Sequence, residues 1–146
     1  MPGTDQRNDP LASFNFILQI DKVRVGFSEI GGLATETDII EYREGNEDIT
    51  VRKIPGKKKF TNISLKRGYT PQGKELWQWR KSVLDGKTER RGGTITLQDE
   101  AKKAALVWRF SDGWPSKWAG PAFNAKNNEI AIEEMEICVE GLTLKT

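Results

Sequence analysis

The chain has 146 residues, and its 23 basic and 21 acidic side chains leave a formal net charge of +2. This near balance gives no argument for a nucleic-acid-binding protein, which normally concentrates basic residues on one surface. The sequence contains no His and a single Cys, Cys138, so His-based catalytic sites, His or thiolate metal sites and an internal disulfide are excluded. We therefore expect no catalytic residue, no cofactor and no metal, and we expect the protein not to be an enzyme.

The first ten residues, 1–10, are polar and predict a flexible leader. The remainder, 11–146, has a length that suits one domain. No apolar segment reaches the roughly 20 residues that a membrane helix needs, and the polar start lacks the apolar core of a secretory signal. The single Cys fits a reducing compartment. We expect one domain without a membrane segment.

Apolar and polar side chains alternate from residue 14 to residue 20, which is the pattern of a half-buried strand. A turn at Asp21 is expected to start a hairpin into a second strand over residues 23–27. Glycines then interrupt strand-forming residues over 25–45, as they do at bulges and close backbone approaches. The apolar face of the first strand consists of Phe14, Phe16, Leu18 and Ile20.

Residues 43–59 are dominated by charge and predict an extended loop, with a turn at Pro55-Gly56. Seventeen residues are long for a hairpin connection, and loops of this size are usually functional or mobile. Two interpretations stay open: a solvated β-ribbon tip, or an arm that becomes ordered against a neighbouring subunit. The three consecutive lysines 57–59 are better explained by solubility than by phosphate binding, because no aromatic residue is interleaved with them.

A strand over 60–69 precedes the one convincing helix, predicted over residues 71–85. Thr70 can cap this helix, Pro71 suits its first position, and Gly86 can end it. Trp77 lies off the apolar stripe and either covers a loop or belongs to an interface. The core-facing stripe consists of Leu76, Trp79, Val83 and Leu84.

The next segments predict strands over 94–97 and 106–110, joined by a polar hairpin loop over 99–103. A turn is predicted at residues 111–113. The Trp-Pro-Ser-Lys-Trp segment that follows, 114–118, is interpreted as a packed barrel corner rather than as a platform on which a ligand stacks.

The last predicted strand covers residues 129–144. Ile130 and Ile132 share one parity, whereas Met135, Ile137 and Val139 share the other. This pattern predicts a bulge at Glu133-Glu134, because one extra residue turns the following side chains to the opposite face. A long strand bent in this way could belong to two sheets. Cys138 is expected to be an inert structural thiol.

These segments sum to about seven strands and one helix, which predicts a mainly β protein. The expected fold is an antiparallel β-barrel or sandwich of two sheets with one flanking α-helix. The expected core consists of Phe14, Phe16, Leu18, Ile20, Leu76, Trp79, Val83, Leu106, Trp108, Ile137 and Val139.

A series of short motifs follows in order along the chain. They are Gly26-Phe27-x-Glu29-x-x-Gly32-Leu33, Ile40-Glu41-Tyr42-Arg43-x-Gly45, Pro55-Gly56-x-x-Lys59-Phe60-x-Asn62-Ile63, Leu65-Lys66-Arg67-Gly68, Trp79, Glu89-Arg90-Arg91, Trp114-Pro115-x-Lys117, Asn128-Glu129-x-Ala131-Ile132-Glu133 and Glu140-Gly141-Leu142. Together they resemble the inner tube protein of contractile injection systems, above all the extracellular ones, with myophage tail tubes and pyocin tubes as wider relatives. The resemblance spans residues 14–144.

The resemblance implies a hexameric ring whose subunits share one continuous lumenal β-barrel, and rings that stack into a tube inside a contractile sheath. It implies sheath, baseplate and tube-terminator partners, lumenal effector cargo, assembly in the bacterial cytoplasm and a particle that can be released. No specific nucleic-acid recognition is expected. Residues 43–59 would contact the next ring, with contacts from Asn46, Glu47, Asp48, Arg52, Lys53, Lys57, Lys58 and Lys59.

Three alternatives remain. A bacteriophage tail tube that conducts DNA would have the same subunit fold. A β-barrel module could instead bind single-stranded nucleic acid through Trp114, Trp118 and the lysines, with an affinity that falls steeply with salt. A hydrolase that uses Glu133 or Glu134 is disfavoured, because consecutive strand residues point to opposite faces.

Overall fold

The computed structural model describes residues 15–43, 45, 51–68, 74–121 and 131–145. Within these ranges the chain is mainly β, with one helix. The elements in order are β1 (Asn15–Ile20), β2 (Val23–Phe27), β3 (Glu29–Gly31), β4 (Thr35–Tyr42), β5 (Arg52–Phe60), β6 (Ile63–Gly68), α1 (Glu75–Leu84), β7 (Arg91–Gln98), β8 (Ala104–Ala119), β9 (Ile132–Cys138) and β10 (Gly141–Leu144).

Two antiparallel sheets share the long strand β8. Its first half pairs with β7 and β10, and its second half pairs with β9. The strand order is β2-β1-β7-β8-β9-β6-β3, and the Ser28 N–H, in the link between β2 and β3, donates to the Lys66 carbonyl of β6 at 3.0 Å. The prediction of a mainly β fold with two antiparallel sheets and one flanking helix is confirmed.

The turn predicted at residues 111–113 is wrong, because β8 continues through it. Asp112 has a φ of 51°, which kinks the strand without ending it. Gly113 follows and is buried; a Cβ there would lie 2.6 Å from Cε1 of Phe110. The kink carries β8 from one sheet to the other, so the long bent strand is β8 and not the C-terminal segment.

The phase change predicted at Glu133-Glu134 is also wrong. Glu133 and Met135 are both buried, on the same face as the buried Ile137, so β9 keeps one parity throughout. Ile132 is 48% exposed on the other face, and Ile130 lies outside the described residues. The extra residue is in the partner strand β8, where the pairing shifts between Pro115 and Lys117.

The helix α1 packs on β8 and covers the barrel. Trp79 is buried and donates its Nε1–H to the Glu89 carbonyl at 2.9 Å, which satisfies the indole within an apolar contact. Gly86 ends the helix with a φ of 78° and donates its N–H to the Val83 carbonyl. Thr70 and Pro71 lie outside the described residues.

The barrel interior contains most of the residues predicted to form the core. Phe16 and Trp108 pack against it half-buried, Val83 and Leu106 are also half-buried, and Phe14 lies outside the described residues. The buried members are Leu18, Ile20, Leu76, Trp79, Ile137 and Val139.

Substituting Ile137 with Asp should unfold the subunit, because Ile137 is 0% exposed and a carboxylate there would have no partner. We expect a loss of more than about 4 kcal/mol in the free energy of unfolding, measured by urea denaturation. Ile132→Asp is the matched control, since Ile132 lies on the exposed face of the same strand. Equal stability of the two variants would show that the buried face of β9 is wrongly assigned.

Candidate assembly interface

Strands β4 and β5 form a separate two-stranded ribbon that stands away from the barrel. They pack on each other and make few contacts with any other element, and nearly all of their side chains are exposed. The ribbon begins where Thr35 pairs with Phe60 and reaches at least to Tyr42 opposite Arg52. Each of its two strands pairs only with the other among the described residues, so both outer backbone edges are open there.

This ribbon corrects the prediction of a turn at Pro55-Gly56. Both residues lie inside β5, and the ladder shifts register between Thr37 and Ile39 opposite them. Pro lacks a backbone N–H and is tolerated at such irregular or edge positions. Within residues 43–59, the structure shows strand β5 from Arg52 onward.

The outer half of the ribbon exposes apolar side chains on both faces. Ile40 pairs with Ile54 on one face, and Ile39 pairs with Pro55 on the other. The exposed fractions are 67% for Ile39 and 52% for Ile40. An isolated two-stranded ribbon is marginal in water, and its open edges favour pairing with another chain. These features are typical of a segment that is buried by a partner.

An ion pair joins the two strands in the inner half of the ribbon. Lys59 Nζ lies 2.9 Å from Asp38 Oδ1, and this hydrogen bond, with the charge of Asp38, raises the pKa of Lys59 above its usual value. The Lys59 and Asp38 side chains are 60% and 41% exposed, so the pair contributes little to the stability of the fold.

The residues that the sequence predicts for inter-ring contact divide into two groups. Arg52, Lys53, Lys57, Lys58 and Lys59 lie in β5 and are exposed. Asn46, Glu47 and Asp48 lie outside the described residues. Sequence reasoning missed the apolar part of this surface. The sequence predicts Ile39 and Ile40 only as strand-forming residues. Their side chains are exposed because the ribbon leaves the barrel.

A buried polar network that the sequence did not predict lies inside the barrel wall. The Glu133 side chain is 1% exposed and accepts two bonds, from Arg67 Nε at 2.6 Å and from Trp118 Nε1 at 2.7 Å. Arg67 also lies 5.9 Å from the centroid of the Phe27 ring. This network joins β6, β8 and β9, and both carboxylate oxygens are occupied by protein donors.

The same network bears on the alternative functions. Glu134 lies on the outer face, 3.7 Å from Lys66 Nζ, so Glu133 and Glu134 do not converge on one site. Trp118 packs against Trp77 with ring centroids 4.9 Å apart, and its indole N–H is bound to Glu133.

Within the described ranges no group of three or more His, Cys, Asp or Glu side chains could hold a metal ion, and no helix there is long and apolar enough to cross a membrane.

Comparisons with known proteins agree with this geometry. The family model of the T4-like virus tail tube protein gp19 matches residues 12–143. No curated protein matches the chain. Among solved structures, a chain of the extracellular contractile injection system PVC, in its extended sheath-tube complex, is 27% identical, with 100% of this chain and 98% of that chain covered and a TM-score of 0.83.

Two further structures show how far the likeness extends. A chain of the anti-feeding prophage tube terminating cap is also 27% identical, with 100% and 99% of the two chains covered and a TM-score of 0.82. Hcp1 from Flavobacterium johnsoniae is 14% identical, with 90% and 94% covered and a TM-score of 0.55. At this identity the likeness to Hcp1 concerns the fold alone.

Proposed function

The chain belongs to the family of T4-like virus tail tube proteins and is a structural tube subunit, and from this premise we propose how it assembles. Six copies close a ring with a continuous lumenal β-barrel. Rings stack into a rigid hollow tube inside a contractile sheath, and sheath contraction drives the tube through a target envelope with effector proteins in its lumen. The protein acts by rigidity and by the shape of its lumen rather than by catalysis.

The observation that carries the stacking proposal is the exposed ribbon. Its apolar faces and open edges suit burial against another copy, which supports a position between rings. The charged contacts that we propose for this interface come from Asn46, Glu47, Asp48, Arg52, Lys53, Lys57, Lys58 and Lys59.

Strand edges support the ring proposal. In the described part of the chain, β10 pairs with β8 alone and β3 pairs with β6 alone. Leu144 at the end of β10 is 45% exposed. Open edges favour pairing with another chain, and closing a ring of identical subunits buries them.

We propose sheath, baseplate and tube-terminator proteins as partners, because similar chains come from a PVC sheath-tube complex, an anti-feeding prophage cap and an anti-feeding prophage baseplate. Assembly then takes place in the bacterial cytoplasm, and the finished particle is released from the cell.

A bacteriophage tail tube that conducts DNA is the second candidate, and the matching family model is itself one of phage tail tubes. The likeness to PVC and anti-feeding prophage chains over the whole length favours the injection system. Capsid and DNA-packaging genes beside the gene for this protein would instead favour the phage.

Native mass spectrometry and sedimentation velocity at several concentrations test the ring. We expect a discrete species of six subunits that grows into larger stacks as concentration rises. A monomer that persists at the highest concentration, in the presence of the sheath and baseplate proteins as well, would contradict the proposal.

A further inference from the structure

An open cleft extends along β1 and β2 to the end of the barrel where β1 begins and where β2, β6 and β7 end. Its volume is about 660 Å³. Three of its described lining residues are cationic, namely Arg24, Arg67 and Lys102, and none of its described lining residues is acidic. The other lining residues are Asn15, Ile17, Gly26, Phe27, Ser28, Gly68 and Gln98.

Within the described residues, the positive charge of this cleft is only partly neutralised. Arg67 is bound to Glu133. Arg24 and Lys102 are both exposed, and neither forms an ion pair with another residue of the described ranges. Two cations beside an open cleft of this size suit an acidic segment of another chain.

The cleft and the ribbon lie at opposite ends of β6. The ribbon starts at the pairing of Thr35 with Phe60, close to the first residue of β6, Ile63. The cleft is lined by the last residues of the same strand, Arg67 and Gly68. Six residues of strand separate the two ends by roughly 17 Å. A protrusion at one end and a recess at the other are what a head-to-tail contact requires, and such contacts generate open stacks.

The connection between β4 and β5 supplies an acidic sequence. Residues 44–50 contain Glu44, Glu47 and Asp48 and no basic residue. The charge of this segment is therefore opposite to that of the cleft, whereas β5 itself is rich in lysine and would be repelled by it.

We propose that the β4–β5 connection of one subunit binds in the cationic cleft of a subunit in the next ring, with Arg24 and Lys102 as the main partners of its carboxylates. This inference rests on the proposed stacking function and adds the surface that receives the ribbon. It makes the stack polar, with every ribbon pointing in the same direction along the tube.

Charge reversal in the cleft tests the proposal. The double variant Arg24→Glu/Lys102→Glu should form rings but lose stacks in negative-stain electron microscopy. Arg90→Glu/Lys87→Glu is the matched control, because it makes the same change in net charge at two exposed residues outside the cleft. This control should stack like the unsubstituted protein.

A compensating variant separates a lost contact from a folding defect. Adding Glu47→Lys/Asp48→Lys to the cleft variant should restore stacks, because the charges of the connection and the cleft are then reversed together. Stacks of normal length from the cleft variant alone, or no recovery in the compensated variant, would overturn the proposal. Absence of rings in the unsubstituted protein, with the sheath and baseplate proteins present, would instead overturn the proposed function itself, so the two failures are distinguishable.

Discussion

Replacing residues 39–55 with Gly-Gly should abolish stacking and leave the subunit folded. The replacement removes the apolar outer half of the ribbon, including Ile39, Ile40 and Ile54, together with the acidic connection. The barrel should be unaffected, because the ribbon packs on almost nothing else. We expect rings with no stacks by electron microscopy, and a melting temperature of the barrel within a few degrees of the unsubstituted value, which is the size of a change of about 1 kcal/mol.

Leu84→Asp is a useful control for this replacement. Leu84 is 57% exposed at the end of α1, so this variant also loses an exposed apolar side chain but keeps the ribbon intact. It should stack normally. If the protein with the truncated ribbon forms stacks of normal length, β4 and β5 do not connect adjacent rings.

Removing the Glu133 carboxylate should cost much of the subunit's stability. In Glu133→Ala, the Arg67 side chain, which is 11% exposed, loses its ion pair with Glu133, and the Trp118 indole N–H loses its acceptor. Breaking a buried pair in this way costs about 3–5 kcal/mol, which corresponds to a fall of on the order of 10 °C in melting temperature. Differential scanning calorimetry measures this directly.

Glu134→Ala serves as the neighbouring control. The Glu134 side chain is 44% exposed and lies 3.7 Å from Lys66 Nζ, and pairs of this kind contribute about 1 kcal/mol or less. Similar melting temperatures for the two variants would show that the buried network does not join β6, β8 and β9 as described.

Local patterns predicted the regular parts of the fold well. Alternation identified β1, because Leu18 and Ile20 face a barrel whose outside is solvated. The helical stripe identified Leu76 and Trp79 as buried. These residues obey the ordinary rule that apolar side chains point inward, so their neighbours in sequence are sufficient to place them.

Glu133 breaks that rule, and the prediction failed there. A Glu on the buried parity of β9 was interpreted as a change of phase. Its partners, Arg67 and Trp118, come from two other strands, and the attraction between them is not visible in a local pattern. Burial of a charge depends on long-range pairing, which a single strand sequence does not contain.

The prediction for the ribbon failed for a different reason. Pro55-Gly56 is a strong turn signal in a compact sheet, but the ribbon has open edges and a register shift that accommodate both residues. The exposure of Ile39 and Ile40 likewise depends on where the ribbon leaves the barrel. Local sequence patterns could not predict the cleft, because Arg24 and Lys102 come together only through the pairing of β1 with β2 and β7.

A cryo-EM reconstruction of the assembled protein is the most direct test of the central claim. We expect hollow stacks with six subunits in each ring, a continuous β-barrel around the lumen, and every β4–β5 ribbon extending toward the same end of the tube. A reconstruction with a different number of subunits in each ring, or with ribbons that contact neither adjacent ring, would contradict the account.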